Sequence, residues 1–455
     1  MKATLPGAVL VSLLVASAAY AGSQGWRTDG TGCYPDATPP TKWSASENVV
    51  WKTPMPGASN STPAVLDGKI FICADPAWLI CVNAADGRIL WQKSNTYFDM
   101  MDEQEIAKAK VDIAAGKAVA AKIKSANGEL NKLKREQKKT PDDQKLKDKI
   151  KELGLTIRKL NSELKPLSKY MKAPANPATG YSTATPATDG KGVYVVFGSG
   201  VVAGYELDGQ RRWIRYLAKP RSGDGHSGSP LLVGDKLLVH LTEMVALNVA
   251  DGETAWRARL GARFGSPVLT KVGDVEVAVT AGGEIVRISD GKLLGRGMGG
   301  LAYNSPIVAD GIVYMVQAKP GAFKLPSKAA EKIKPERIWK GRPKIKNQRY
   351  YSSAVYADGL IYAITEKGVL SVLDAETGEL VYERVMKLST PYASISAVGK
   401  YVHVSGDRGI TAVIEGGRDY KETARNKLEP FRSSPVFVGE RMYIRGLKNL
   451  YCIGR

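Results

Sequence analysis

The chain is short of what most catalytic machinery is built from. Its 455 residues include three histidines (His226, His240, His403) and four cysteines. No two histidines stand in an HxH or HxxxH pair, so the usual sequence sign of a metal centre is missing. No Gly-x-Ser-x-Gly elbow occurs either. Long hydrophobic runs are also absent. The single apolar stretch, residues 8–19, is shorter than the ~20 residues a membrane span needs. With Lys2 before it and Ala19-Tyr20-Ala21 after it, the stretch reads as a secretory signal cleaved near 21/22. No cysteine follows the cleavage point to carry a lipid. The expectation is a periplasmic or secreted protein, soluble after cleavage, neither a lipoprotein nor transmembrane.

What the chain has is repetition. An element [ST]-P-x-V, or a near variant, recurs at Thr62, Thr185, Ser229, Ser266, Ser305, Ser353, Ser394 and Ser434. After a first step of 123 residues the spacing is 44, 37, 39, 48, 41 and 40. Each element opens a unit whose residues suit four strands. A first strand leads through an Asp-Gly or Gly-Asp turn into β-branched and aromatic runs such as KIFICA, GVYVVF and KLLVHL. A third strand ends in another glycine turn. Four residues past that glycine stands an aromatic: Gly87/Trp91, Gly209/Trp213, Gly252/Trp256 and Gly378/Tyr382. Gly291/Gly295 is the exception, and Trp339 occupies the matching place in the fifth unit.

Eight units are visible, and the eighth lacks its fourth strand. Residues 47–54 (ENVVWKTP) look like an isolated fourth strand at the other end of the chain. They are expected to pair with residues 449–453 and close a ring, which removes exposed sheet edges. The fold class is therefore all-β: an eight-bladed β-propeller closed by an N-terminal strand. Its expected segments are a signal over 1–21, an arm over 22–47, the closing strand with blade 1 over 48–98, an insert over 99–172, and blades 2–8 over 173–455. The arm over 22–42 is expected to be dispensable.

The repeat, with its Asp/Thr-Gly-x-x-x-Trp signature, resembles the pyrroloquinoline-quinone (PQQ) repeat family of eight-bladed propellers. The family includes quinoprotein alcohol dehydrogenases and a non-enzymatic propeller of bacterial outer-membrane assembly. The resemblance implies that Trp51, Trp91, Trp213 and Trp256 stack on the backbone of a neighbouring blade. The dehydrogenases use a disulfide between adjacent cysteines, a calcium ion and an aspartate base. This chain has no Cys-Cys dipeptide, and Asp224, near the expected channel mouth, matches no family motif. The favoured reading is a non-catalytic binding or assembly scaffold of the cell envelope without a cofactor. The alternative is a PQQ- and calcium-dependent dehydrogenase with a divergent site.

The first long step contains the insert. Leu146, Ile150, Leu153, Ile157, Leu160, Leu164 and Leu167 form an a/d seam. With an Ala-rich helix before it, the seam predicts an antiparallel helical hairpin in coiled-coil packing. Thr140 is the expected N-cap and Pro141 the expected first helical residue. The hairpin is either a self-paired spacer or a partner-binding arm. Net charge is +20, concentrated in two inserts. Residues 101–172 hold 19 Lys/Arg against 11 Asp/Glu, and residues 319–349 hold 11 against 2. Such surfaces suit an envelope protein or an anionic glycan or lipid surface. Nucleic acid is not expected, because stacking aromatics are not interleaved with the charges. A monomer is expected.

Residues just before each first strand gather at the mouth of a propeller channel. Asn60, His226, Arg263, Tyr303, Arg349, Tyr351, Tyr392 and Arg432 are the candidate ligand residues there, with Arg263 and Arg432 facing each other across the axis. Alternatively the aromatics plug the channel and the arginines cap strand ends. Cys73 with Cys81, and Cys33 with Cys452, are candidate disulfides. Alternatively all four are buried small hydrophobes.

Overall fold

A computed structural model describes residues 24–455 apart from 174, 221, 262 and 340–344. The expected signal segment lies outside the described residues. Eight sheets of four antiparallel strands follow one another along the chain, each a blade. Middle strands such as Lys69–Ala74 and Val201–Tyr205 are buried on both faces, because every blade lies between two others. That is why they read as continuous apolar runs. The outer strand Val49–Pro54 instead alternates between half-buried and exposed side chains. The buried side chains form eight clusters, one at each seam between blades; Phe71, Leu79, Val195 and Tyr205 join blades 1 and 2 in this way.

The ring closes as the repeat predicts. Val49–Pro54 pairs antiparallel with Asn449–Ile453, setting Trp51 opposite Cys452. Trp51 then reaches into blade 1, where its indole N–H donates to Ala84 O at 3.1 Å. The same reach recurs around the ring. Trp91 donates to Leu207 O, Trp213 to Val249 O, Trp256 to Ile288 O and Trp339 to Ala375 O, at 2.8–3.1 Å. Each ring lies over the turn glycine of the next blade. At Gly252, with φ +72°, a Cβ would sit 2.5 Å from Trp213. The glycine is therefore needed twice, for its left-handed backbone and for the absence of a side chain. Blade 4 breaks the pattern because residue 333 of the next insert pairs there. Ile333 N donates to Leu294 O at 2.6 Å, and a Cβ on Gly295 would meet Ile333 O.

The repeat's Ser/Thr anchors form a belt around the channel. Thr185 N–H donates to Ser229 Oγ, Ser229 N–H to Ser266 Oγ, Ser266 N–H to Ser305 Oγ and Ser305 N–H to Ser353 Oγ. Ser394 and Ser434 continue it to Thr62 Oγ1. Six of the eight hydroxyls thus satisfy a backbone N–H of the preceding blade across a seam, a role that Ser and Thr can fill.

The arm, expected to be dispensable, packs into the propeller at several points. Gln24 bridges to Thr188 on the inner strand of blade 2. Arg27, 1% exposed, donates to Ala354 O at 2.8 Å and Ile395 O at 2.6 Å, on blades 6 and 7. Cys33–Tyr34 adds a parallel fifth strand beside Ser396–Val398. Trp43, 3% exposed, stacks on His403 and donates its backbone N–H to Asn426 Oδ1. The arm thus crosses the channel and seals it. No periodicity marks it, so the sequence pattern leaves it out.

The insert is a helical hairpin, α1 (Glu103–Gln137) and α2 (Gln144–Leu167). All seven seam residues of α2 are buried or half-buried between the helices. The cap differs from expectation. Asp143, not Thr140, accepts from Leu146 N at 3.0 Å, while Thr140 Oγ1 donates to Glu136 O and so belongs to the end of α1. Pro141 lies in the turn before α2. At the base, Tyr97 packs against Tyr170 and Tyr216 of blade 2.

No disulfide joins the four cysteines. On paired strands Cys73 stands opposite Leu79 and Cys81 opposite Phe71, so the two thiols are diagonal rather than facing. Cys33 lies by Tyr356 O at the seam of blades 6 and 7, and Cys452 lies at the seam of blades 8 and 1. The second proposed bridge therefore spans separate seams. Burial pushes the Cys73 thiol up to about 12.

Two measurements check this architecture. Gly311 has φ +75° with nothing near its absent Cβ, whereas Gly252 has φ +72° under Trp213. In urea unfolding, Gly311→Ala is expected to cost about 1–2 kcal/mol for backbone strain, and Gly252→Ala about 1–3 kcal/mol more for overpacking. Equal losses would deny the tryptophan seat. A chain starting at residue 45 keeps the closing strand but loses Arg27, Tyr34 and Trp43. It is expected to melt well below a chain starting at residue 24, since losing one buried tryptophan typically costs roughly 3–5 kcal/mol. Equal melting temperatures would restore the view that the arm is dispensable.

Candidate functional site

The mouth opens on a cup of about 400 Å³. Its upper wall comes from the residues that precede the first strands, its lower wall from the Ser/Thr belt, and its floor includes Trp26 of the arm. Trp26 also lines a second cavity, beside the first strands of blades 2 to 4.

One side of the cup is aromatic. Phe264 stacks on Tyr303 (5.8 Å, 20°), Tyr303 meets Tyr351 edge-on (4.9 Å), and Tyr351 stacks on Tyr392 (5.0 Å, 14°). Arg432 ends the arc, 5.4 Å over the Tyr392 ring. These side chains come from blades 4 to 8 in order, so the repeat itself lays down the arc. Burial, with the Tyr351 ring beside it, raises the Tyr392 phenol and keeps it a proton donor. The other side is polar: Asn60, Thr183, Asn176, Thr179, Asp224 and Ser227.

Much of the polar wall is a strap over residues 176–179, which follows the hairpin in the chain. Asn60 donates to Ala178 O and Thr179 O. Arg432 donates to Ala178 O at 3.3 Å, and Asn176 Nδ2 to Asp224 Oδ1 at 3.0 Å. Behind it, Asp75 accepts from Ser182 Oγ and Tyr181 N. The strap is thus fixed by side chains of blades 1 and 8 and the loop before blade 3.

Six of the eight candidate ligand residues meet in the cup: Asn60, Tyr303, Arg349, Tyr351, Tyr392 and Arg432. Two do not. His226 is buried, its Nε2 bonded to Gly228 O at 2.7 Å. Arg263 is exposed outside the cup, so the pair of opposed arginines across the axis does not exist. Phe264, its neighbour, takes the lining place instead. Trp26 and the strap lay outside the sequence reading. Trp26 has no repeat signal, whereas Asn-Pro-Ala-Thr-Gly at 176–180 is a turn signal that marks the strap.

The charges in the cup are partnered. Arg432 Nε lies 3.9 Å from Asp407, and Arg349 donates to the Tyr351 hydroxyl at 3.2 Å beside Glu366. These donors do not suit the PQQ–calcium pair that the resemblance implies. Calcium takes about six to eight oxygens. Asp224 is the single carboxylate among the lining residues, it already accepts from Asn176, and two guanidiniums share the cavity. Among the described residues no group of three His, Cys, Asp or Glu stands together.

Comparison with known proteins gives the setting. The family model described as outer membrane protein assembly factor BamB, of the PQQ-repeat type, matches residues 41–139 and 241–331. The chain is an eight-bladed β-propeller whose repeats are similar to those of the PQQ-repeat family. No curated protein sequence matches it. Among solved structures, BamB from Moraxella catarrhalis superposes with a TM-score of 0.56 at 12% identity, over 89% of this chain and 96% of that one. A europium-containing methanol dehydrogenase gives 0.59 at 12%, over 94% and 90%. The quinohemoprotein alcohol dehydrogenase ADHIIG from Pseudomonas putida HK5 gives 0.53 at 11%, over 92% and 80%. At such identities the likeness is one of fold.

The propeller's histidines give a pH prediction. Burial lowers His226 to about 4 and His403 to about 3, both below the free value near 6.5. The unfolded chain therefore binds protons first. Stability is full above pH 6.5 and falls as pH drops from 6.5 toward 3, by on the order of a few kcal/mol per histidine. His403→Phe, which keeps a ring against Trp43, is expected to flatten that slope in urea midpoints measured from pH 7 to 4. An unchanged slope would contradict the buried neutral histidine.

Proposed function

We propose that this propeller is an exported, non-catalytic scaffold that binds and assembles components of the cell envelope. The observation that carries the reading is the state of the side chains in the cup. Six of its eight belt hydroxyls accept backbone N–H groups across the seams, and its aromatics are stacked on one another. No histidine lines it, and its one lining carboxylate is tied to Asn176. Such groups are preorganised to recognise a ligand, whereas acid–base catalysis needs a group free to take up a proton. Export rests on the pattern of residues 2–21 and on the likeness to an envelope assembly factor.

The hairpin supplies a second surface. It packs on itself, and none of its charged side chains forms an ion pair among the described residues. Its lysines are thereby left to an envelope protein or an anionic glycan or lipid surface, and the propeller is expected to act as a monomer. No helix among the described residues is long and apolar enough to cross a membrane.

The competing reading, a quinoprotein dehydrogenase, has the fold of two neighbours behind it but not the donors. Purified protein incubated with PQQ and Ca2+ is expected to gain no bound-quinone absorbance and to reduce no dye with alcohols or sugars. A bound quinone with substrate-dependent dye reduction would overturn the scaffold reading.

A further inference from the structure

We infer that the cup is a saccharide site that takes a hydroxyl-rich, uncharged sugar of an oligosaccharide, with Trp26 as the platform on its floor. The inference rests on the binding reading above and names the ligand class. Three features of the cup carry it. First, its two sides differ in the way the faces and rim of a pyranose differ. An aromatic arc from Phe264 to Tyr392 suits the C–H faces of a sugar ring, while the acceptor oxygens Asn60 Oδ1, Thr183 Oγ1 and Asp224 Oδ2, whose residues bond the strap through their other atoms or their protons, suit donation from its O–H groups. Stacked aromatics joined to a few convergent polar groups are the general composition of a small-molecule pocket, and about 400 Å³ falls within the usual size range.

Second, the charged groups favour a neutral ligand over an anion. Arg432 faces Asp407 at 3.9 Å, Arg349 stands beside Glu366, and Asp224 holds Asn176. A carboxylate or phosphate would have to compete with these acids, whereas a sugar hydroxyl can donate to Asp224 and accept from a guanidinium at once. The other arginine of the expected opposed pair, Arg263, is outside the cup.

Third, the floor is built for rigidity. Trp26 is held by its neighbour Arg27, whose guanidinium lies 5.3 Å from the indole and is bonded to blades 6 and 7. A platform fixed in this way costs little entropy when a ring stacks on it.

The test is isothermal titration of the chain from residue 24 onward with cellotriose, maltotriose and chitotriose. Trigalacturonate serves as the anionic arm and an acidic tripeptide as the peptide arm. At least one neutral trisaccharide is expected to bind, with affinity nearly independent of salt and weakened at least tenfold by Trp26→Ala and by Tyr351→Ala. Circular dichroism melts of both variants check folding, and Arg349→Gln provides a milder second variant at the rim. Binding of no saccharide, binding that the three variants leave unchanged, or steeply salt-dependent binding of trigalacturonate alone would each overturn the inference. Binding of the tripeptide alone would overturn the sugar while leaving the scaffold reading intact. Only a functional quinone, measured separately, would sink that reading.

Discussion

Everything in this molecule depends on one pairing, that of Val49–Pro54 with Asn449–Ile453. A propeller blade cannot bury both faces unless it has a neighbour on each side, so the ring is stable only when its last seam is made. That seam needs two things from the N-terminal strand. It supplies the fourth strand of blade 8, and it supplies Trp51, which bonds to Ala84 O and sits over Gly87 of blade 1. With the strand clamped in blade 8, the residues before it are led to the channel. Arg27 and Trp26 can then seal the channel, and the open axis becomes a blind cup.

The same repeat that builds the ring decides what the cup can do. Six of the eight anchor hydroxyls accept from a backbone N–H of the preceding blade, which fixes the Ser and Thr residues nearest the axis as part of the scaffold. The positions just before the anchors are free to vary. In blades 4 to 7 they hold Phe264, Tyr303, Tyr351 and Tyr392, whose mutual stacking makes a continuous wall. On the proposed reading, ligand recognition falls to the side chains on the rim and to two additions the repeat does not contain, the arm and the strap.

That division also explains what the sequence made legible. The blades, the closing strand and the tryptophan seats obey a period, and a period is visible in one sequence. The seam of the hairpin obeys another, so α2 is read correctly from Leu146 to Leu167, although its cap falls to Asp143 because its carboxylate, not the Thr140 hydroxyl, meets the first free N–H groups. Six of eight mouth residues follow from their place before the anchors. Arg263 fails because its neighbour Phe264 takes the inward position. Trp26 and Arg27 were hidden because a single crossing segment has no periodicity, and burial of an arginine between two carbonyls leaves no mark in composition. The cysteines failed for a geometric reason: a hairpin of the right length still places Cys73 and Cys81 on diagonal rather than facing positions.

The central claim is that the two ends of the chain hold the ring shut. Hydrogen exchange read by mass spectrometry on peptides covering Val49–Pro54 and Asn449–Ile453 tests it most directly. The amides of both strands are expected to exchange at one common rate, as slowly as those of the middle strands of blades 1 to 3, because opening the closure opens the ring. Fast exchange in these two strands, with the rest of the propeller still protected, would contradict the account.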